Sequence, residues 1–258
     1  MKLAAILRIK NQALTIKQCL NKLSELVDEI VIVDNGSTDG TLSIYKKYPK
    51  IKIIKKTKGF NEGRDKCLAH KWVKNLKPDW ILWVDGDEIF EKILLRSDLD
   101  KYMNNSALNQ VNFRMYNFWL SKNKYRVDGI WKKYTASPQR QMWRNLSQAY
   151  FLDIPFHNGG IRGLPPKHIV SDFRIKHLGY VYLKQIKIKN NTYKKMEDNT
   201  ASVKTLPLDV EKMMQMKWLE SDNKSINKII QKREYCFWSL MEKYYFYKNY
   251  FIKKDKIQ

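Results

Sequence analysis

Apolar and polar positions keep two alternating rhythms through the first hundred residues. Residues 3–9 are a short apolar run, Leu-Ala-Ala-Ile-Leu-Arg-Ile, which reads as a strand. Over residues 15–26 the apolar positions Ile16, Leu20, Leu23 and Leu26 fall three or four apart, the spacing of a helix face. Residues 29–33 form a second buried strand, and residues 34–40, Asp-Asn-Gly-Ser-Thr-Asp-Gly, are almost pure loop chemistry. A helix over 41–48 is stopped by Pro49, and 51–54 is a third strand. Residues 62–76 are helical, with Pro78 just beyond. The fourth strand, 80–84, is Trp-Ile-Leu-Trp-Val and runs into Asp85-Gly86-Asp87-Glu88.

Strands separated by helices predict an α/β fold built from parallel βαβ units. Ligands of such sheets bind beyond the carboxyl ends of the strands. Three polar clusters fall there: residues 8–11, 34–39 and 85–88. From residue 111 the texture changes. Residues 111–120, 138–144 and 173–177 read as strands, and Gly159, Gly160, Gly163, Pro165 and Pro166 mark a long loop near His157. From residue 182 the chain reads as helical, with a break near Pro207. There is no internal repeat and no low-complexity linker.

Composition narrows the class. With 258 residues, 43% apolar and 13% aromatic, the chain can bury a sizeable core. Its formal charge of +23 favours polyanionic partners: nucleotides, nucleic acid, phosphorylated glycolipids or an anionic membrane. An AT-rich genome would encode the same excess of Lys, Asn and Ile, so the charge alone names no partner. Arg8 and Lys10 interrupt the apolar start, which is too short for a signal peptide, and no run is long enough to span a bilayer. Cys19, Cys67 and Cys236 are odd in number and lack a C-x-x-C pair, so reduced thiols in the cytosol are the expectation.

The chemistry concentrates at two turns. Asp85 and Asp87, separated by glycine at a strand end, can reach a common point where Mg²⁺ or Mn²⁺ would take their oxygens. An acidic turn capping the next helix is the alternative. In the 34–40 turn, Asp34 and Asn35 are expected to face a base or ribose, while residues 37–41 hold the turn and Thr38 or Asp39 caps the helix. Neither a G-x-G-x-x-G fingerprint nor a P-loop is present, which argues against dinucleotide redox chemistry and ATP hydrolysis.

Four segments in order resemble the family 2 glycosyltransferases of GT-A fold: residues 5–11, 32–41, 61–65 (Asn-Glu-Gly-Arg-Asp) and 80–88. The resemblance covers residues 1–95 and thins beyond. It implies a Rossmann-like, mostly parallel sheet flanked by helices. Residues 1–100 would be the nucleotide-sugar-binding half, 101–200 the acceptor-binding half and 201–258 a helical extension. It places Arg8, Lys10, Asp34, Asn35, Arg64 and Asp85 at the nucleotide. It makes Asp85 and Asp87 the metal-binding D-x-D, with Asp87 the direct ligand, Asp85 nearer the ribose and Mn²⁺ or Mg²⁺ as the ion. Gln12 stands where close relatives carry Glu, which alters a charge near the nucleotide entrance.

The second half is similar to the lipopolysaccharide and capsule branch of that family. The matching positions are residues 138–144 with Arg140, then His157-Asn158, then His177-Leu178-Gly179-Tyr180. These make Arg140, His157 and Asn158 acceptor-side residues and let His177 complete the metal shell. Asn158 replaces a usual Glu and cannot act as a base. An inverting transfer needs a carboxylate to deprotonate the acceptor hydroxyl. Asp153 is the nearest substitute, with Asp128 and Asp172 as further candidates; His70 and His168 read as structural.

The resemblance thus implies transfer of a sugar from a nucleotide-sugar, a UDP-sugar, to a hydroxyl of a cell-surface glycan or glycolipid. The place would be the cytoplasm, peripheral to the inner face of the membrane. Residues 226–256 carry apolar positions at helical spacing among lysines. Their first half suits packing on the domain, and residues 244–251 suit either an anchor on anionic lipid or a dimer contact. Three rivals stand beside this reading. A nucleotidyltransferase would want glycines that residues 8–11 lack. A nucleic-acid-binding protein fits the charge, but the basic residues are spread along the chain without a recognised module, so no specific nucleic-acid partner is expected. A catalytically impaired relative fits Asn158.

Overall fold

The computed structural model describes residues 1–128, 138–155, 160–194 and 215–219. Its first half is β1 (Leu3–Ile9), α1 (Ile16–Leu26), β2 (Glu29–Asp34), α2 (Thr41–Tyr45), β3 (Ile51–Lys56), α3 (Glu62–Lys74) and β4 (Trp80–Trp83). Then follow β5 (Glu88–Phe90), α4 (Arg96–Met103), β6 (Gln110–Trp119), β7 (Lys124–Arg126), β8 (Gln139–Arg144), β9 (His168–Tyr180), α5 (Leu183–Lys194) and β10 (Gln215–Lys217).

The sheet order is β10-β7-β6-β8-β4-β1-β2-β3, with β9 paired to both β5 and β6. β3, β2, β1 and β4 pair in parallel. β8 is antiparallel to β4 and to β6, so β6 runs with the first four strands, as does β9 beside it. Only β5, β7 and β8 run the other way among the described strands. The expected mostly parallel α/β sheet is therefore present.

Both faces of the central strands are buried, which is why they read as unbroken apolar runs. Leu3, Ala5, Leu7 and Ile9 of β1 pack with Ile30 and Ile32 of β2 and with Trp80 and Leu82 of β4, against the apolar stripe of α1. The intervening Ala4, Ile6, Val31, Val33, Ile81 and Trp83 pack on the other face against Ala69 and Val73 of α3. Each fully buried aliphatic side chain here contributes about 1.5–3 kcal/mol. At the edge, β3 exposes Lys52 and Lys56, charges that discourage pairing with another chain.

The second half departs further from the sequence pattern. β9 extends well past the expected 173–177. β5, α4 and β7 have no counterpart among the elements the sequence pattern predicts. Gln215–Lys217, inside the stretch expected to be helical, is a strand paired with β7. That pairing is set by contacts from far along the chain, not by local propensity. The amphipathic stretch 226–256 lies outside the described residues, as does Cys236; Cys19 and Cys67 are free thiols. No described helix is long and apolar enough to cross a membrane.

One buried ion pair ties these late elements down. Arg174 of β9 donates from Nε to Glu91 Oε1 at 2.6 Å and from Nη2 to the Leu219 carbonyl at 2.8 Å. The Arg174 backbone N–H also donates to Glu91 Oε2, at 2.8 Å. The Arg174 guanidinium lies 3.9 Å from the centroid of Trp218, which packs with Tyr116, Phe118 and Tyr125. Removing one partner of such a pair leaves an uncompensated buried charge. Glu91→Ala is therefore expected to destabilise the protein by about 3–5 kcal/mol in a urea unfolding titration. A loss below about 1 kcal/mol would mean that water already compensates Arg174.

Candidate active site

The carboxyl ends of β1 and β2 lie side by side, with Ile9 opposite Asp34. Their loops are stitched together. The Asn11 N–H donates to Ser37 Oγ at 2.9 Å, and the Thr38 N–H returns to Asn11 Oδ1 at 2.8 Å. The Gln12 and Ala13 N–H groups reach Thr41 Oγ1 and Asp39 Oδ2. Asn11 takes φ 51°, a left-handed conformation that Asn tolerates, and so makes this turn. The N-cap of α2 is Gly40 rather than the expected Thr38 or Asp39, although Asp39 Oδ1 still accepts the Thr41 N–H at 3.1 Å.

Asp34 differs from expectation. It is fully buried; Oδ1 accepts the Ser37 N–H at 2.7 Å and Oδ2 accepts the Tyr45 hydroxyl at 2.9 Å. Both oxygens serve the turn and neither faces an open surface. Burial, and then the Asp34 carboxylate, pushes the Tyr45 phenol far above its usual range.

The other residues expected at the nucleotide do come together. Asn35 Oδ1 accepts from Lys10 Nζ at 3.5 Å, and Asn35 Nδ2 donates to Thr57 Oγ1, the Gly59 carbonyl and Asp65 Oδ2. Asp65 is buried and pairs through Oδ1 with Arg64 at 2.8 Å. Arg64 also donates to the Lys58 and Gly59 carbonyls. Arg8 lies 4.9 Å from the Phe60 ring centroid. Lys10, Asn35 and Arg64 thus form one connected polar rim.

Beyond β4, Gly86 lets the acidic turn press on β1: an added Cβ would sit 2.5 Å from Ile9 Cδ1. The turn is fastened by Glu88, which sequence reasoning assigned no role. Glu88 Oε2 accepts the Asp85 N–H at 3.0 Å and Gln141 Nε2 at 2.9 Å. The three acidic groups then divide. Burial, and then Asp85, raises Glu88 well above the usual carboxyl range. Burial also raises Asp85, opposed by Arg8 and reinforced by Asp87. Burial would raise Asp87 too, but Lys189 and His177 overturn it and hold that carboxyl far below the usual range. Asp87 is the one that stays firmly ionised.

His177 on β9 brings Nε2 to 3.5 Å from Asp87 Oδ1, and its Nδ1 lies 2.6 Å from Asn117 Oδ1. Lys189 on α5 brings Nζ to 3.3 Å from Asp87 Oδ2. Gly179 makes this convergence sterically allowed. A Cβ there would fall 2.2 Å from Lys189 Nζ, 2.4 Å from Asp87 Oδ2 and 2.8 Å from His177 Nε2. A carboxylate oxygen and an imidazole nitrogen beside a glycine-made space, with an ammonium already standing in as a cation, fit Mn²⁺ or Mg²⁺. Among the described residues no three His, Cys, Asp or Glu side chains converge to hold a metal. An ion here would therefore draw further ligands from elsewhere, as diphosphate oxygens can supply.

The remaining expected residues scatter. Asp128 is held two-pronged by Arg126, Oδ2 accepting from Nη2 at 2.8 Å, so it is committed to structure and is no free base. Asp153 is exposed, on a segment whose Ile154 and Pro155 carbonyls accept the first N–H groups of α3. Asp172 is half-buried near Tyr102. Arg140 lies on β8 opposite Asn112, its side chain outside the described residues together with His157 and Asn158. His70 is packed against Phe151 and Trp143 and is pushed down to about 4 by burial and then by Lys74, a structural histidine as expected. His168 is exposed at the start of β9.

Comparison with known proteins meets this geometry. An uncharacterized glycosyltransferase of Rickettsia felis is 34% identical over 93 residues, 36% of this chain and 31% of that protein. The SPbeta prophage-derived glycosyltransferase SunS of Bacillus subtilis is 31% identical over 87 residues, 33% of this chain and 19% of that protein. The matches thus span about a third or less of these relatives. The crystal structure of S. aureus TarS 1–349 aligns at a TM-score of 0.50 and 19% identity, covering 74% of this chain and 65% of that one, a likeness of fold. The Glycosyl transferase family 2 profile matches residues 5–164, the stretch that holds β1 to β4 and the acidic turn. With well over half of its length under that profile, on a GT-A fold, this chain belongs to glycosyl transferase family 2.

Proposed function

We propose that the chain transfers a sugar, with inversion, from a nucleoside-diphosphate donor to a hydroxyl of a glycan or glycolipid. The donor is a UDP-sugar, and the acceptor a cell-surface glycan of the lipopolysaccharide or capsule kind. The observation that carries the reading is the placement of Asp87: a buried carboxylate just beyond the carboxyl end of β4, with His177 and Lys189 converging on it. Lys10, Asn35 and Arg64 seat the nucleotide, with Arg8 and Asp85 adjoining. Asp87 and His177 would hold Mn²⁺ or Mg²⁺. When bound, that ion supplies positive charge to the departing diphosphate.

The chain's own side chains do the rest. Asn117 fixes the His177 ring through Nδ1 and so aims Nε2 at the site. Glu88 and Gln141 keep the acidic turn in place. As the acceptor oxygen bonds to the anomeric carbon, the bond from that carbon to the diphosphate breaks and its electron pair leaves with the phosphate. A carboxylate takes the hydroxyl proton, and Asp153 is the candidate whose side chain is exposed. The charge of +23 suits a phosphorylated or lipid-linked acceptor at the cytoplasmic face of the membrane.

Thermal melting against UDP, GDP, CDP and dTDP, each with and without Mn²⁺, tests the site. One diphosphate at about one hundred times its Kd should add about 2.7 kcal/mol and raise Tm by several degrees, only with metal present. Asp87→Ala should abolish that shift; a full metal-dependent shift in the variant overturns the Asp87 assignment. No shift with any diphosphate in the wild type would favour an impaired relative, a reading that Asn158 keeps open. Asp153→Asn should leave nucleotide binding intact and lower turnover about 100-fold or more. Undiminished turnover would move the base elsewhere.

A further inference from the structure

Lys189 matches none of the sequence motifs, yet it reaches the centre of the site. The helix that carries it is anchored: Ile186 is fully buried against Trp119 and Tyr180, and Gln185 and Asn190 are buried beside it. Lys184 and Lys187 on the same helix point into solvent, as surface lysines do. Lys189 instead crosses the Tyr180 ring, with Nζ 4.4 Å from the centroid, and ends 3.3 Å from Asp87 Oδ2. Glycine at 179 leaves room for this position, since a Cβ there would lie 2.2 Å from Nζ and would push the lysine tip aside. Its side chain still keeps 24% exposure, so the tip is tethered but not enclosed.

We propose that Lys189 is a diphosphate-binding residue whose ammonium, resting on Asp87 in the donor-free protein, passes to the diphosphate of the bound donor. The proposal rests on the sugar-nucleotide reading above. A divalent cation held by Asp87 would repel an ammonium resting on the same carboxylate. The lysine stem has four rotatable bonds, so the ammonium can leave Asp87 while α5 stays fixed. A donor diphosphate bound beside Asp87, as the sugar-nucleotide reading has it, would offer that ammonium a new anionic partner. The electron pair from the broken bond to the anomeric carbon stays on the phosphate oxygen, and Lys189 binds that charge while keeping its own proton. The protein thereby places a second cation on the leaving group.

Titration calorimetry on the full chain separates the roles. The probes are the nucleoside diphosphate of the four that binds the wild type and its monophosphate, both with Mn²⁺. Lys189→Met is expected to weaken the diphosphate about tenfold or more, the scale of one charge-assisted hydrogen bond. Monophosphate affinity should stay within about twofold, and Lys189→Arg should retain most of the diphosphate affinity. Unchanged diphosphate affinity in Lys189→Met overturns the assignment. So does an equal loss for both nucleotides, which would mark a general loosening of the site. Lys189→Gln gives a second neutral variant should Lys189→Met fold poorly. A wild type that binds none of the four diphosphates sinks the sugar-nucleotide reading itself, and Lys189 falls with it.

Discussion

A buried carboxylate stays ionised only where hydrogen-bond donors or positive charges face it, and at Asp87 those charges come from the second half of this molecule. The strand that delivers the carboxylate comes from the first half. His177 and Lys189 come from β9 and α5, about a hundred residues later. The meeting depends on strand register. Antiparallel pairing of β5 with β9 sets Glu88 opposite His177, and the Leu178 N–H donates to the Asp87 carbonyl at 2.7 Å. Parallel pairing of β6 with β9 sets Asn117 opposite His177, where it orients the ring. A slip of one residue in either register would turn His177 away from Asp87.

The two sides of the site are built differently. Around the loops after β1 and β2, hydrogen bonds from the Asn11, Gln12, Ala13 and Thr38 N–H groups tie the two loops together, and Asp34 is consumed in the stitching. That side is pre-organised. The Asp87 side has a carboxylate whose side-chain oxygens face an imidazole, oriented by Asn117, and a tethered, part-exposed ammonium. A site that must admit a charged ligand needs such replaceable partners, because a rigid cage would have to be broken each time the ligand bound.

Much of the first half is legible in the sequence for a physical reason. Strands buried on both faces become apolar runs, and the turns between them become clusters of Asp, Asn, Gly and Ser. Asp87 is legible because it follows such a run. Asp34 misleads for the same reason: its position at a strand end is visible, but the Tyr45 hydroxyl and Ser37 N–H that claim its oxygens depend on how the turn folds back. Glu88 looks like one more acid in the turn until Gln141, more than fifty residues away, is seen to donate to it. Lys189 is one lysine among many on a basic chain, and only its passage over Gly179 distinguishes it. Gln215–Lys217 has no strand pattern of its own and is held by β7 and by Trp218 packing on Arg174.

The aromatic side chains of the second half connect these observations. Arg126, clamped by Asp128, lies 4.8 Å from the Trp119 ring centroid. Trp119 stacks on Tyr180 at 4.3 Å, and Tyr180 meets His177 edge-on at 5.1 Å while carrying Lys189 on its ring. The series runs from Asp128 to Asp87 through contacts that each fix a ring plane. Asp128 thus stands at the far end of a contiguous set of contacts that leads to the site, rather than in the site itself. Stacked and edge-to-face pairs of this kind contribute about 0.5–1.5 kcal/mol each beyond their buried area. That is too little for any one pair to hold the fold; together these rings pack the side of the site from which His177 and Lys189 approach Asp87.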